Sequence, residues 1–505
     1  MTQLPVRPTI VLGPPGTGKT TTLIRMVSDE LAAGTPPDRI GYVTFTRRGA
    51  QEARDRMSAQ HDLRGRSVLP WFSTLHSLSM RCLGLGTGAV MEGARLQEFA
   101  DLIGERLTGR FSQDDGSYIG YDRGDRMLFM DNLARVRQIL LRQQYDESHD
   151  DIDWVVVERF SRALAQFKRD RGLVDYTDLL HMFASRGESP GLDVLFVDEA
   201  QDLSRVQWDV VRVLCRGVRR VVVAGDDDQA IFRWAGADVD TLLDLEGDVR
   251  VLDQSYRVPR RVQSLAASVV ARLSRRRDKR WMPRDAEGDV SWVPRIEDLD
   301  WSGSSVLVMA RNQYLLDPLM REMRASGVLY THHGHPSVRQ SLLTAIVTWE
   351  RLRQGQEQPA DHVQRVLDLM TVGVGVDRGK KTKLAAEGDR LVGMAELRQQ
   401  WGVRTDAIWH EALDRVPDFE RSYMVRCRRQ GEKFSAPPRV RIDTIHASKG
   451  AEADHVVLLT DMATRTHRES LGLPDDEARV WYVGVTRAKE RLTIVMPRTR
   501  QAYPL

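Results

Sequence analysis

Residues Gly13–Thr20 read GPPGTGKT, a complete G-x-x-x-x-G-K-[ST] phosphate loop, and no other segment restricts the fold so tightly. The apolar run Ile10-Val11-Leu12 precedes it, and a helix-compatible run, about Lys19 to Ala33, follows. That order is strand, loop, helix. Glycines there let backbone N–H groups curl around phosphate oxygens, and the positive end of the helix points at the anion. Lys19 is placed to reach the β- and γ-phosphates, and the Thr20 hydroxyl to ligate Mg²⁺. The candidate nucleotide contacts are Gly13, Pro14, Gly16, Thr17, Gly18, Lys19, Thr20 and Thr21.

A chain of 505 residues exceeds a single core, and domain sizes imply about three to four domains. Basic and acidic residues nearly balance, 74 against 71, so net charge alone does not mark a nucleic-acid binder. Local clusters say more. Arg272, Arg275, Arg276, Arg277, Lys279, Arg280 and Arg284 form one basic run; Arg421, Arg426, Arg428, Arg429 and Lys433 form another. Each reads either as a solvated surface or as a polyanion contact. Cys82, Cys215 and Cys427 lie far apart without a C-x-x-C pair, which argues against a disulfide framework or a cysteine zinc site. No apolar run is of membrane-spanning length and no signal-peptide core stands at the start, so a cytoplasmic location without membrane partners is expected.

Short β-rich runs alternate with helical stretches. Thr9–Leu12, Ile40–Phe45, Val194–Val197, Arg220–Ala224 and Val249–Asp253 predict the strands of a doubly wound α/β sheet. Ser305–Ala310, Val328–Tyr330, Val440–Ile445, His455–Leu459 and Arg491–Val495 predict a second one. Helix-compatible stretches interrupt both, with amphipathic segments such as Met127–Gln144 and Trp154–Arg171 in the first.

Two acidic motifs follow strands of the first series. Asp198, in Phe196-Val197-Asp198-Glu199-Ala200-Gln201-Asp202, can hold Mg²⁺ through water, and Glu199 can polarise an attacking water as general base. Gln229, in Gly225-Asp226-Asp227-Asp228-Gln229, can sense a γ-phosphate through its amide. Trp234 just beyond offers a ring to an unpaired base, or else packs in a core.

GPPGTGKT, VTFTRRGAQEARDRM, STLHSL, FVDEAQD, GDDDQAIFRWAGAD, LDQSYR, TIHASKGAEADHVVLL and YVGVTRAKERL stand in the order found in UvrD/Rep/PcrA-like superfamily 1 helicases, which the chain resembles from residue 13 to about 495. The resemblance implies an α/β fold of two RecA-like P-loop domains, each interrupted by a mainly α-helical insertion. The implied division is 1–81 with 188–270 for the first motor domain and 82–187 for its insertion. The second motor domain takes 271–352 with 439–505, and its reduced insertion 353–438.

The implied activity is an ATP- and Mg²⁺-dependent DNA translocase and 3′→5′ helicase acting on single-stranded and tailed duplex DNA. Lys19, Asp198, Glu199, Gln229, Arg257 and Arg487 are then catalytic, the two arginines meeting charge on the transferred phosphoryl group. Tyr256 resembles an adenine-stacking ring and Glu452 a ribose-binding carboxylate. Thr74 with His76, and Thr444 with His446, resemble paired phosphate grips, one per motor domain. Phe45 and Tyr176 resemble DNA-facing aromatics, with core packing the rival for Phe45; Arg47, Arg48 and Lys449 are further phosphate contacts. The chain departs from the family in three places. Only Gln3 is available for the adenine-reading glutamine, Ala235 replaces an arginine often found after the tryptophan, and the second insertion is small. A translocase that strips proteins without unwinding, or a nucleotide-gated scaffold, are the alternative readings.

Overall fold

The computed structural model describes residues 3–61, 69–111, 118–299, 301, 305–380, 384 and 390–505. The chain forms two compact units, residues 1–287 with 473–486 and residues 288–472 with 487–505. The sequence division gave 271–287 and 473–486 to the second motor domain, whereas both segments pack within the first unit.

The main sheet of the first unit is built from β1 (Thr9–Leu12), β2 (Ile40–Val43), β3 (Phe72–Ser73), β4 (Val194–Val197), β5 (Arg220–Gly225) and β6 (Asp248–Val251). They form one parallel six-stranded sheet in the order β3-β2-β4-β5-β1-β6. Successive residues of the central strands enter different cores. Ile10, Leu12, Val43, Leu195, Val197, Val221 and Val223 pack on one face, and Val11, Tyr42, Val194, Phe196, Val222 and Ala224 on the other. Both faces are therefore covered, which is why these strands read as unbroken apolar runs. Edge strand β6, sequence DVRV, is exposed throughout and carries charge that discourages further pairing.

The helical insertion of this unit has its own core around Phe99, Phe160, Leu164 and Phe167. Its helix Trp154–Arg171 starts at Asp153, whose carboxylate accepts the Val155 N–H, and stops at left-handed Gly172. The expected Met127–Gln144 helix is two helices, Arg123–Arg137 and Leu141–Ser148. Gln138 between them has a φ of 56°, which no continuing α-helix accepts.

The second unit holds β7 (Asp289–Val293), β8 (Val306–Ala310), β9 (Tyr330–His332), β10 (His335–Pro336), β11 (Val440–Thr444), β12 (Ala453–Leu459) and β13 (Ala488–Val495). These make a seven-stranded sheet in the order β10-β9-β11-β8-β12-β13-β7, parallel except for the β9–β10 hairpin. β3, β7 and β10 were not anticipated from the sequence, and β9 begins where the expected strand ended. The helices Gln340–Arg353, Ala360–Asp368 and Asp418–Arg429 contribute to a separate core built on Trp349, Trp409 and Tyr423.

Candidate nucleotide and nucleic-acid site

The phosphate loop leaves β1 at the carboxyl edge of the first sheet, where ligands of open α/β sheets bind. Gly16 and Gly18 have φ of 77° and 79°, values side-chain-bearing residues rarely adopt. A Cβ on Gly16 would lie 2.4 Å from Arg257 Cβ, and one on Gly13 would lie 2.5 Å from Lys19 Cγ. At Gly13 and Gly16 the loop thus leaves no room for a Cβ. Lys19 Nζ donates to the Gly13 carbonyl at 2.6 Å, which curls its side chain over the loop. Thr17 Oγ1 donates to the Pro14 carbonyl at 2.8 Å.

The Ser255-Tyr256-Arg257 segment, after β6, docks on this loop. Tyr256 N–H donates to the Gly16 carbonyl and Ser255 Oγ to the Pro15 carbonyl, both at 2.8 Å. The Tyr256 ring is 75% exposed, available to a flat apolar ligand, and the Arg257 backbone adjoins Gly16.

Thr20 Oγ1 donates to Asp198 Oδ2 at 3.0 Å, and the buried Tyr42 hydroxyl donates to the same oxygen at 2.7 Å. Burial, and then the adjacent Glu199, push the Asp198 carboxyl up to about 6. Glu199 has a φ of 54°, the kind of local strain that concentrates at functional positions. A hydroxyl and a carboxylate beside a phosphate cradle are hard oxygen donors that fit Mg²⁺.

A polar chain joins the two acidic motifs. Gln201 Nε2 donates to Glu199 Oε2, while Gln201 Oε1 accepts the Asp226 N–H at 3.0 Å. Asp226 Oδ2 accepts from Gln229 Nε2 at 2.7 Å, and Asp226 Oδ1 lies 3.0 Å from Lys279 Nζ. Lys279 also contacts Asp227 and Asp228, and Arg276 Nε donates to Asp228 Oδ1 at 2.9 Å. Arg275 pairs with Asp240 and Asp244, and Arg277 donates to the Leu242 and Leu245 carbonyls. Lys279, Arg276 and Arg277 are therefore used inside the fold, whereas Arg275 forms an exposed surface pair. Arg479 was not singled out in the sequence, yet it is buried and donates to the carbonyls of Asp227 and Arg275 at 3.0 and 2.9 Å. Gln201 carried a signal, its place within the acidic motif. Arg479 carried none, because an arginine in a helix ordinarily reads as surface.

The nucleic-acid candidates divide. Trp234 is 43% exposed, with its ring stacked on Phe129 at 6.3 Å between centroids. Arg47 and Arg48 are exposed at the start of helix Arg47–His61. Thr74 caps helix Leu75–Cys82 by accepting the Ser77 N–H, and His76 lies edge-on to Tyr176 at 5.8 Å. Two aromatic expectations need correction. Phe45 is 7% exposed and stacked on Phe232 at 5.3 Å. Tyr176 is 8% exposed, and its hydroxyl donates to Glu92 Oε2 at 2.9 Å. Both rings are packing residues here and present no open face to a base. Gln3, the adenine-reading candidate, is bonded to the backbone of Asp244 and Glu246.

In the second unit, Thr444 ends β11 and its Oγ1 accepts the Ala447 N–H at 3.2 Å, with His446 half-buried in the same turn. Glu452 pairs with Lys489 at 2.9 Å. Arg487 is 2% exposed, with Nη1 donating to the Ala451 carbonyl at 3.4 Å.

The UvrD/REP helicase N-terminal domain matches residues 1–250, and the UvrD-like helicase C-terminal domain matches residues 156–499. The chain belongs to the UvrD-like helicase family. ATP-dependent DNA helicase PcrA of Leuconostoc citreum is 25% identical to this UvrD-like chain over 305 residues, covering 56% of the chain and 39% of that protein. PcrA of Bacillus subtilis (strain 168) is 24% identical, covering 56% and 40%. DNA helicase II of Haemophilus influenzae is 22% identical, covering 98% of the chain and 82% of that protein. The match to the PcrA relatives spans about two-fifths of their length. Among the described residues, no helix is long and apolar enough to cross a membrane.

Proposed function

We propose that this UvrD-like chain is an ATPase driven by single-stranded DNA, a translocase that unwinds tailed duplexes 3′→5′. The observation that supports this reading most is the gathering of Lys19, Thr20, Asp198, Glu199 and Arg257 about one glycine cradle. Lys19 leaves the Gly13 carbonyl for the β- and γ-phosphate oxygens of ATP. Thr20 and Asp198 would hold a Mg²⁺ ion, which would supply charge neutralisation to the triphosphate. Glu199, oriented by Gln201, takes the proton of a water whose oxygen attacks the γ-phosphorus as the bond to the β–γ bridging oxygen breaks. Gln229 reports the γ-phosphate to the same polar chain. Arg257 and Arg487 are the guanidinium groups that meet charge on the transferred phosphoryl group.

On the nucleic-acid side, Trp234 stacks on a base. Thr74 with His76, and Thr444 with His446, grip phosphates.

ATPase rate with and without single-stranded DNA tests the reading, followed by unwinding of 3′- against 5′-tailed duplexes. Lys19→Ala should abolish turnover; full turnover in that variant would sink the phosphate-loop assignment. Arg487→Ala should keep ATP binding and lower hydrolysis by about 10³-fold or more. The short second insertion favours one further reading, a translocase that displaces proteins without strand separation. It is distinguished by DNA-stimulated ATPase with no unwinding of either tailed duplex.

A further inference from the structure

The β9–β10 hairpin carries His332-His333-Gly334-His335, three imidazoles to which the nucleotide and DNA readings give no task. β9 runs in register beside β11, with His332 opposite Ile442, so the next β11 residue, Asp443, meets the turn. His332 Nδ1 lies 2.8 Å from the Ile442 carbonyl oxygen. A carbonyl only accepts, so this nitrogen carries the ring proton and Nε2 keeps a lone pair. Gln313 Oε1 lies 3.2 Å from His333 Nε2, which donates to it. His333 Nδ1 lies 3.2 Å from Asp443 Oδ1.

His333 Nδ1 and Asp443 Oδ1 are thus held face to face. The carboxylate cannot turn away easily. Asp443 is buried, its Oδ2 accepts from Arg441 Nε at 2.6 Å, and its Oδ1 accepts the His333 N–H at 3.1 Å. A separation of 3.2 Å also suits two ligands of one tetrahedral ion, about 3.3 Å apart for bonds of about 2.0–2.1 Å. One ligand atom from each of His332, His333 and Asp443 lies within 4.8 Å of the others. The carbonyl behind His332 is the outer partner that metal-ligating histidines ordinarily have.

We propose that His332, His333 and Asp443 bind a divalent transition-metal ion of the zinc class, with a fourth position open to water. Two imidazoles and one carboxylate select such an ion over Mg²⁺ or Ca²⁺, which prefer oxygen donors throughout. Binding exchanges the Gln313 amide, now 2.7 Å from His332 Nε2, for the ion. The ion fastens the turn to the end of β11, from which Thr444 and His446 continue. The proposal does not depend on what those two residues grip.

The test uses the full chain stripped with a chelator and titrated with Co²⁺ at neutral pH, excess Mg²⁺ keeping oxygen-donor sites occupied. The expected result is stoichiometric binding, with the visible absorption of four-coordinate cobalt bleached by Zn²⁺. A Zn²⁺-dependent rise in melting temperature should accompany it. His332→Gln and His333→Ala should each lower the affinity by about 100-fold or more, while His410→Ala leaves it unchanged. The His333 side chain is half exposed, so its variant should retain the wild-type circular dichroism and melting temperature without metal. Absence of cobalt absorption in the wild-type chain, or unchanged affinity in both histidine variants, overturns the proposal and leaves a plain imidazolium–carboxylate pair.

Discussion

Lys279 Nζ faces Asp226, Asp227 and Asp228 with its side chain fully out of solvent. Burial lowers its pKa, but the three carboxylates outweigh that and hold it above the ordinary lysine range. Lys279→Met should cost about 3–5 kcal/mol, because it leaves buried acids without their cation. A melt showing a loss under about 1 kcal/mol would contradict that account. Asp125 plays the converse part. Its carboxylate accepts from Thr108 N–H and Oγ1, Gly109 N–H, the Tyr118 hydroxyl, and the N–H groups of Tyr121 and Asp122. Burial raises its pKa, yet these donors hold it below the usual aspartate value. A depressed folded value means the unfolded chain binds the proton more readily. The stabilisation is therefore present above the unfolded value, about pH 4, and fades as pH falls through the folded one. Asp125→Asn should lower stability by about 3 kcal/mol at neutral pH and flatten the pH dependence below about pH 4. Chemical denaturation across that range measures both. Gly16→Ala adds a Cβ 2.4 Å from Arg257 Cβ at a backbone φ of 77°. Fluorescent-nucleotide affinity should fall by about tenfold or more, since either the strain or the displaced Arg257 segment costs more than about 1.4 kcal/mol.

At the scale of elements, helix ends follow from local chemistry. Ser204 and Gln207 form a reciprocal capping box ahead of helix Arg205–Leu214, so Ser204→Ala should cost about 1 kcal/mol by thermal melt. Helix Tyr176–Arg186 begins with the Asp175–Asp178 box, and its two acids also hold Arg135 and Lys168. Such boxes are visible in sequence. The central strands were visible too, since burial on both faces leaves unbroken apolar runs at β1, β4 and β5. β3 and β10 escaped notice because two-residue strands have no periodicity to read. The break at Gln138 also escaped, since the residue is neither Gly nor Pro yet takes the left-handed backbone of a helix cap, its N–H bonded back to the Arg135 carbonyl.

For the whole molecule, Arg276, Arg277 and Lys279 of the first basic run are held by partners inside the first unit and are not open to a polyanion. Single-stranded DNA affinity should therefore follow a straight line of log K against log salt, at about 0.7 per phosphate neutralised and only a few phosphates in all. Fluorescence anisotropy at several salt concentrations measures the slope. A slope demanding one phosphate for every arginine and lysine of the two basic runs would contradict the internal pairing. The eight ordered motifs, the central strands β1, β4 and β5 and the cradle of Gly13–Thr20 were determined by the sequence itself, because each depends on residues adjacent in the chain. Tertiary structure alone decided that Phe45 and Tyr176 pack inward and that 271–287 and 473–486 join the first unit. It alone brought Lys279 to three aspartates and His333 to Asp443. These partners lie far apart in the chain, and only the closing of a core fixes which faces turn inward and which distant charges meet.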